Sequence, residues 1–229
     1  MSTTVGPSES GPRWARWIGR FLAHVVWNTE VVGSHLVPTD GPVLFAANHT
    51  GIIDGPIVLG VSPRPSHMLV KSEMFWGPVG SVLRAAGQIP VEHDGGRSAL
   101  NNALVVLRRG GVVGVFPEGN RGKGDAASAR AGITWLALNG HAPVVPVAVL
   151  GTRRTGESVG HVPGLRRRLA IEFGAPLVLE RAAGTSGRAA LEQANEAIRV
   201  ALAQLVDGAV VRTGLLLPTD DPNRERSPR

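Results

Sequence analysis

Pro42-Val43-Leu44-Phe45-Ala46-Ala47-Asn48-His49-Thr50-Gly51-Ile52-Ile53-Asp54 runs from an apolar stretch into a polar turn and sets a histidine five positions ahead of an aspartate. On a continuous helix, five steps of about 100° would leave the two side chains roughly 140° apart, on different faces. A turn must intervene if they are to meet. Gly51 offers a permissive backbone for it, and Gly55-Pro56 reads as a helix entry, because proline suits the first helical position. The expected unit is strand, sharp turn, helix. Folded this way, Asp54 can hold one imidazole nitrogen of His49 and leave the other as a general base.

Working outward, the same unit recurs. Val112-Val113-Gly114-Val115-Phe116 is another apolar run, and it opens into Pro117-Glu118-Gly119-Asn120-Arg121. Between and beyond the two lie further short apolar runs, 67–70, 88–91, 144–150 and 169–173, separated by stretches of helical period. Alternation on this scale predicts a single-domain α/β sandwich with a mixed, mostly parallel sheet. Pro146 places the run 144–150 at an edge or a bulge, since proline cannot donate to a ladder.

The two motifs together, N-H-x4-D and then F-P-E-G-N-R, resemble those of the glycerophospholipid acyltransferase family, in particular its 1-acylglycerol-3-phosphate acyltransferases. The likeness covers residues 31 to 152 well. It implies transfer of a fatty acyl group from acyl-CoA or acyl-carrier protein to the hydroxyl of a lysophospholipid, with His49 as base, Asp54 as its orienter, and no cofactor beyond the acyl donor. It also implies a hairpin between the run 30–36 and the run 42–47. Asn48, Glu118, Gly119, Asn120 and Arg121 match positions expected at the substrate, and Arg130 with Gly132 matches a downstream basic-x-Gly. Asn120 stands where the family usually has threonine. His93 stands where it commonly has arginine, and a histidine with an ordinary pKa near 6.5 is mostly neutral at pH 7. Arg97 is the nearest candidate to replace that charge, with Arg121 and Arg130 completing a phosphate clamp.

Composition narrows the alternatives. Without cysteine, disulfides and thiolate metal sites are excluded, and the seven histidines form no zinc-ligand spacing, so no metal is expected. The net charge of +6 suits anionic partners. With 4% aromatic residues and no helix-turn-helix or zinc-finger pattern, nucleic acid is not among them. A Ser-His-Asp hydrolase is the rival from within catalysis. A non-catalytic peripheral lipid-binding module is the rival from another class, and an acyltransferase acting on a different lipid alcohol is the alternative that His93 leaves open.

Trp14, Trp17, Ile18, Phe21, Leu22, Val25 and Val26 recur at helical steps, with Arg13, Arg16 and Arg20 on another side. The stretch is too short and too charged to span a bilayer, but it suits an anionic membrane surface. The chain thus divides into a disordered lead (1–12), an amphipathic helix (13–28), an acyltransferase domain (29–210) and a disordered tail (211–229). Its expected location is cytoplasmic, peripheral on the inner face of the cell membrane.

Overall fold

In the computed structural model, which describes residues 6–92, 96–118, 123–124, 131–181 and 184–220, strands and helices alternate along the chain. They are α1 (Gly11–Phe21), β1 (Asn28–Val32), β2 (Val43–Ala47), α2 (Asp54–Val61), β3 (Ser66–Lys71), α3 (Gly77–Ala85), β4 (Ile89–Val91), α4 (Arg97–Arg108), β5 (Val112–Val115), α5 (Ala131–Gly140), β6 (Val144–Leu150), β7 (Arg168–Phe173) and α6 (Gly187–Thr213). Among the described residues they build one seven-stranded sheet, ordered β1-β7-β6-β2-β5-β3-β4. Every pairing is parallel except β6 with β7.

Both faces of the sheet are covered, which is why the central strands are continuously apolar: β2 and β6 are buried at every position. Alternation sorts the side chains. Val43, Phe45 and Ala47 pack with Ile57 and Val58 of α2, whereas Leu44 and Ala46 pack with Ala103 and Leu107 of α4 and Leu136 of α5. α6 covers β6 on the α4–α5 side, through Leu202 and Val206 against Ala148 and Leu150.

Several expectations need correction. β1 does not form a hairpin with β2; it pairs in parallel with β7 at the sheet's edge, and residues 34–36 are a 3-10 turn. β6 is interior rather than an edge, and Pro146 is tolerated because the facing strand is irregular there. Gly174 N–H donates to Pro146 O, and the next pair toward the start of β6 is Val144 with Leu177, so two steps on β6 are matched by three on its partner. Proline sits at the bulge that this mismatch creates.

At the N-terminus, α1 begins at Gly11, with Pro12 in its first turn, and residues 6–10 lie along the fold instead of apart from it: Glu9 pairs with Arg109 at the end of α4. The small side of α1 faces inward, Ala15 against Leu59 of α2 and Gly19 against Gly60, where a Cβ on Gly60 would lie 2.1 Å from the carbonyl carbon of Gly19. Such close packing turns the large side chains out: Trp17 is 73%, Ile18 51%, Phe21 56% and Val25 54% exposed. A π-helical turn, Leu22–Val26, then brings Trp27 into the core, its indole N–H donating to Pro163 O at 3.0 Å. At the other end, α6 runs to Thr213 and the segment after it packs down, with Leu215 and Leu217 against the α6–β6 cluster, so order extends well past residue 211.

Candidate active site

β2, β5, β3 and β4 run in one direction, so the loops that follow them emerge along one edge of the sheet. The first of these is the His49–Asp54 turn. Asp54 opens α2 and is fully buried, and a single oxygen of it organises the turn: Oδ2 accepts from the Thr50 N–H at 2.7 Å and the Gly51 N–H at 2.9 Å, and lies 2.8 Å from Nδ1 of His49. An ionised carboxylate can only accept, so Nδ1 carries the proton and Nε2 presents its lone pair. The helix N-terminus adds favourable positive potential to the carboxylate.

His49 is fixed from two more directions. Its ring stacks on Phe116, with centroids 4.0 Å apart and planes 14° from parallel, and its backbone N–H reaches Glu118 Oε1 at 3.4 Å. Phe116 and Glu118 leave the end of β5, the neighbour of β2, so adjacent parallel strands bring the second motif to the first. The imidazole side chain is 13% exposed. The imidazole is therefore held on three sides and mostly covered.

An acyltransferase family model matches residues 28–150, which include the whole of this arrangement. The chain belongs to the acyltransferase family. Among relatives, it is 33% identical over 126 residues to the 1-acyl-sn-glycerol-3-phosphate acyltransferase of Bacillus subtilis, covering 53% of this chain and 62% of that protein. With the enzyme of the same name from Borreliella burgdorferi the figures are 32% over 127 residues, 53% and 51%. The alignments thus span between half and two thirds of these relatives. The crystal structure of the Thermotoga maritima 1-acyl-sn-glycerophosphate acyltransferase PlsC has the same fold, with a TM-score of 0.64 at 22% identity over 85% of this chain and 79% of that one.

Set against the family's motifs, the remaining site residues divide. Arg97 is the first residue of α4, exposed, and follows β4 on the same sheet edge as His49. His93, Gly119, Asn120, Arg121 and Arg130 lie outside the described residues. Asn48, expected to face substrate, is fully buried with both ends of its amide engaged: Nδ2 donates to Val149 O at 3.1 Å, and Oδ1 accepts from Val149 N at 2.6 Å. It continues the β2–β6 pairing past the end of β2, and so sets where His49 begins.

The motifs do not disclose the wall behind the turn. Thr50 Oγ1 meets Thr152 Oγ1 at 2.9 Å, and Ile52 N–H donates to Val159 O at 2.9 Å. Gly124, with φ +72°, lies so close that a Cβ on it would fall 2.4 Å from Thr50 Cγ2. Arg153, next to Thr152, is the largest fully buried side chain; its guanidinium donates to Glu157 O at 3.0 Å and to Asp220 Oδ2 at 2.8 Å. Through this pair the C-terminal segment closes the wall. Asp220→Ala is expected to lower stability by about 2 kcal/mol, less than the roughly 3–5 of a fully buried pair because the Asp220 side is 30% exposed. Although burial opposes it, the bond from Arg153 holds the Asp220 carboxyl below its usual value. A depressed folded-state pKa gives stability that is present above about pH 4 and lost as pH falls through the folded value. Thermal melts of wild type and Asp220→Ala should therefore differ at neutral pH and converge in acid.

Proposed function

We propose that the protein transfers a fatty acyl group from acyl-CoA or acyl-carrier protein to the free hydroxyl of a lysophospholipid such as 1-acylglycerol-3-phosphate, giving phosphatidate. The observation that carries this reading is the His49–Asp54 contact at 2.8 Å on a turn braced by the second motif. Nε2 of His49 takes the hydroxyl proton as the oxygen attacks the thioester carbonyl. The tetrahedral oxyanion collapses, the C–S bond breaks, and the proton passes to the departing thiolate. Transfer is direct, without an acyl-enzyme. By the family resemblance, Glu118, Gly119 and Arg121 take acceptor-binding positions; Arg97, Arg121 and Arg130 form the clamp on the acceptor's phosphate, and His93 makes that clamp less cationic than an arginine there would. The test is incubation of the purified protein with labelled acyl-CoA and lysophospholipid: His49-dependent ester formation supports the reading, whereas donor hydrolysis without transfer would assign a thioesterase instead.

The same reading places the protein on the inner face of the cell membrane. Support comes from α1 and the π-helical turn after it, whose outward stripe of Trp17, Ile18, Phe21 and Val25 lies beside Arg13 and Arg20. No described helix is long and apolar enough to cross a membrane. Each arginine near an anionic surface contributes about 1 kcal/mol, so replacing Arg13, Arg16 and Arg20 together by glutamine is expected to weaken binding to anionic vesicles by about 10². Vesicle co-sedimentation measures it, and unchanged binding by the folded variant would remove α1 from the membrane.

A further inference from the structure

On the sheet edge opposite the catalytic turn lies a depression of about 220 Å³, lined by Glu9, Arg13, Arg64, His67 and Arg109 together with backbone near the starts of β3 and β5. Five steps of extended chain separate Gly111 at this depression from Phe116 at the site, about 16 Å. The niche is therefore a separate place.

Its chemistry is that of an anion receptor. Three guanidinium groups face one carboxylate. Arg64 is anchored by two of its five donors, Nη1 to Pro38 O at 3.1 Å and Nη2 to Gly110 O at 2.6 Å, which hold its fork in place and leave the others. Arg109 is set by Pro7 O at 3.1 Å and by Nε2 of His67 at 3.1 Å. His67 Nδ1 meets Gly87 O at 2.6 Å; because a carbonyl only accepts, that nitrogen carries the proton and Nε2 is the acceptor for Arg109. His67 is thus neutral and adds no charge, but it aims Arg109. The carboxylate of the lining, Glu9, pairs with Arg109 at 3.3 Å while largely exposed, and exposed ion pairs contribute little, so a stronger anion can displace it; Asp40, outside the lining, also acts on Arg64.

The position of the niche selects its occupant. Arg13 belongs to α1 and stands beside the outward apolar stripe, and a second depression, of about 260 Å³, continues along α1 and the π-helical turn between Arg16, Arg20 and His24. When the stripe lies among acyl chains, these arginines lie at headgroup depth. We propose that the Arg13–Arg64–Arg109 niche binds the phosphate of an anionic phospholipid, a lipid site distinct from the one where acyl transfer occurs. The proposal rests on the membrane reading of α1.

Co-sedimentation with phosphatidylcholine vesicles and with vesicles containing phosphatidylglycerol separates the two ideas. Arg64→Gln and Arg109→Gln, both off α1, are each expected to weaken binding to the anionic vesicles about fivefold and to leave binding to phosphatidylcholine unchanged. Glu9→Gln is expected to strengthen it about fivefold. Arg188→Gln and Glu192→Gln make the same charge changes on α6, across the sheet, and are expected to change nothing. Should the arginine variants fail to fold, the Glu9 arm decides alone, since its side chain is exposed. An effect of Glu9→Gln no larger than that of Glu192→Gln would overturn the niche while leaving α1 on the membrane. Wild-type protein that binds neither vesicle overturns both. Displacement of the vesicles by soluble glycerol 3-phosphate, at a concentration equal to the lipid, would reassign the niche to a free anion and end the lipid proposal.

Discussion

His49→Ala is expected to lower acyl transfer by about 10² to 10⁴ while leaving the protein folded, since a positioned general base supplies about that factor, roughly 3 to 5 kcal/mol of barrier. The fold should survive because the turn does not depend on the imidazole. Asp54 Oδ2 retains the Thr50 and Gly51 N–H bonds, and the His49 backbone N–H still meets Glu118. What is lost is the stack on Phe116, and aromatic pairs of that kind contribute about 0.5–1.5 kcal/mol. The measurement is kcat against labelled acyl-CoA and lysophospholipid, with a thermal melt on the same sample. A folded His49→Ala protein that turns over at the wild-type rate would end the mechanism, because the turn's other proton acceptor, Asp54, is fully buried.

The parts of this site that could be read from sequence are those whose partners are close in the chain. His49 and Asp54 are five residues apart, so their meeting follows from one turn. The turn itself is built otherwise than expected. Gly51 was read as supplying backbone freedom, yet it does not adopt a positive φ; the carboxylate of Asp54 closes the turn by collecting the Thr50 and Gly51 N–H groups. The α/β class was legible for a similar reason, because burial on both faces makes β2 and β6 continuously apolar. Strand order was not. β1 joins β7, paired Asn28 with Arg168, and nothing local in either strand specifies a partner so far along the chain. Asn48, Phe116, Thr152 and Arg153 were missed as supports on the same ground: each acts through a contact between strands or with the chain's end. The charge of Arg153 is buried with the help of Asp220, which lies 67 residues further along the chain.

Asp54→Asn is the second large effect expected, and it separates orientation from base chemistry. The substituted amide has two placements in this pocket. If its oxygen keeps the Oδ2 position, it still accepts from Thr50, Gly51 and His49, but its NH₂ takes the Oδ1 position, which is buried with no partner among the described residues. An unsatisfied buried donor costs about 1–3 kcal/mol. If the amide flips, its NH₂ faces two backbone N–H donors and forces Nδ1 of the imidazole to accept, which moves the ring proton to Nε2 and removes the base. In both placements the negative charge that stabilises the imidazolium in the transition state is gone. Transfer should therefore fall by about 10² or more, and the variant should also melt earlier, by the equivalent of about 1–3 kcal/mol. Because the two residues act as one unit, the double variant His49→Ala/Asp54→Asn should be no slower than the slower single variant. If the two losses multiply instead, Asp54 serves catalysis by some route other than His49, and the contact at 2.8 Å is an architectural one that holds the turn.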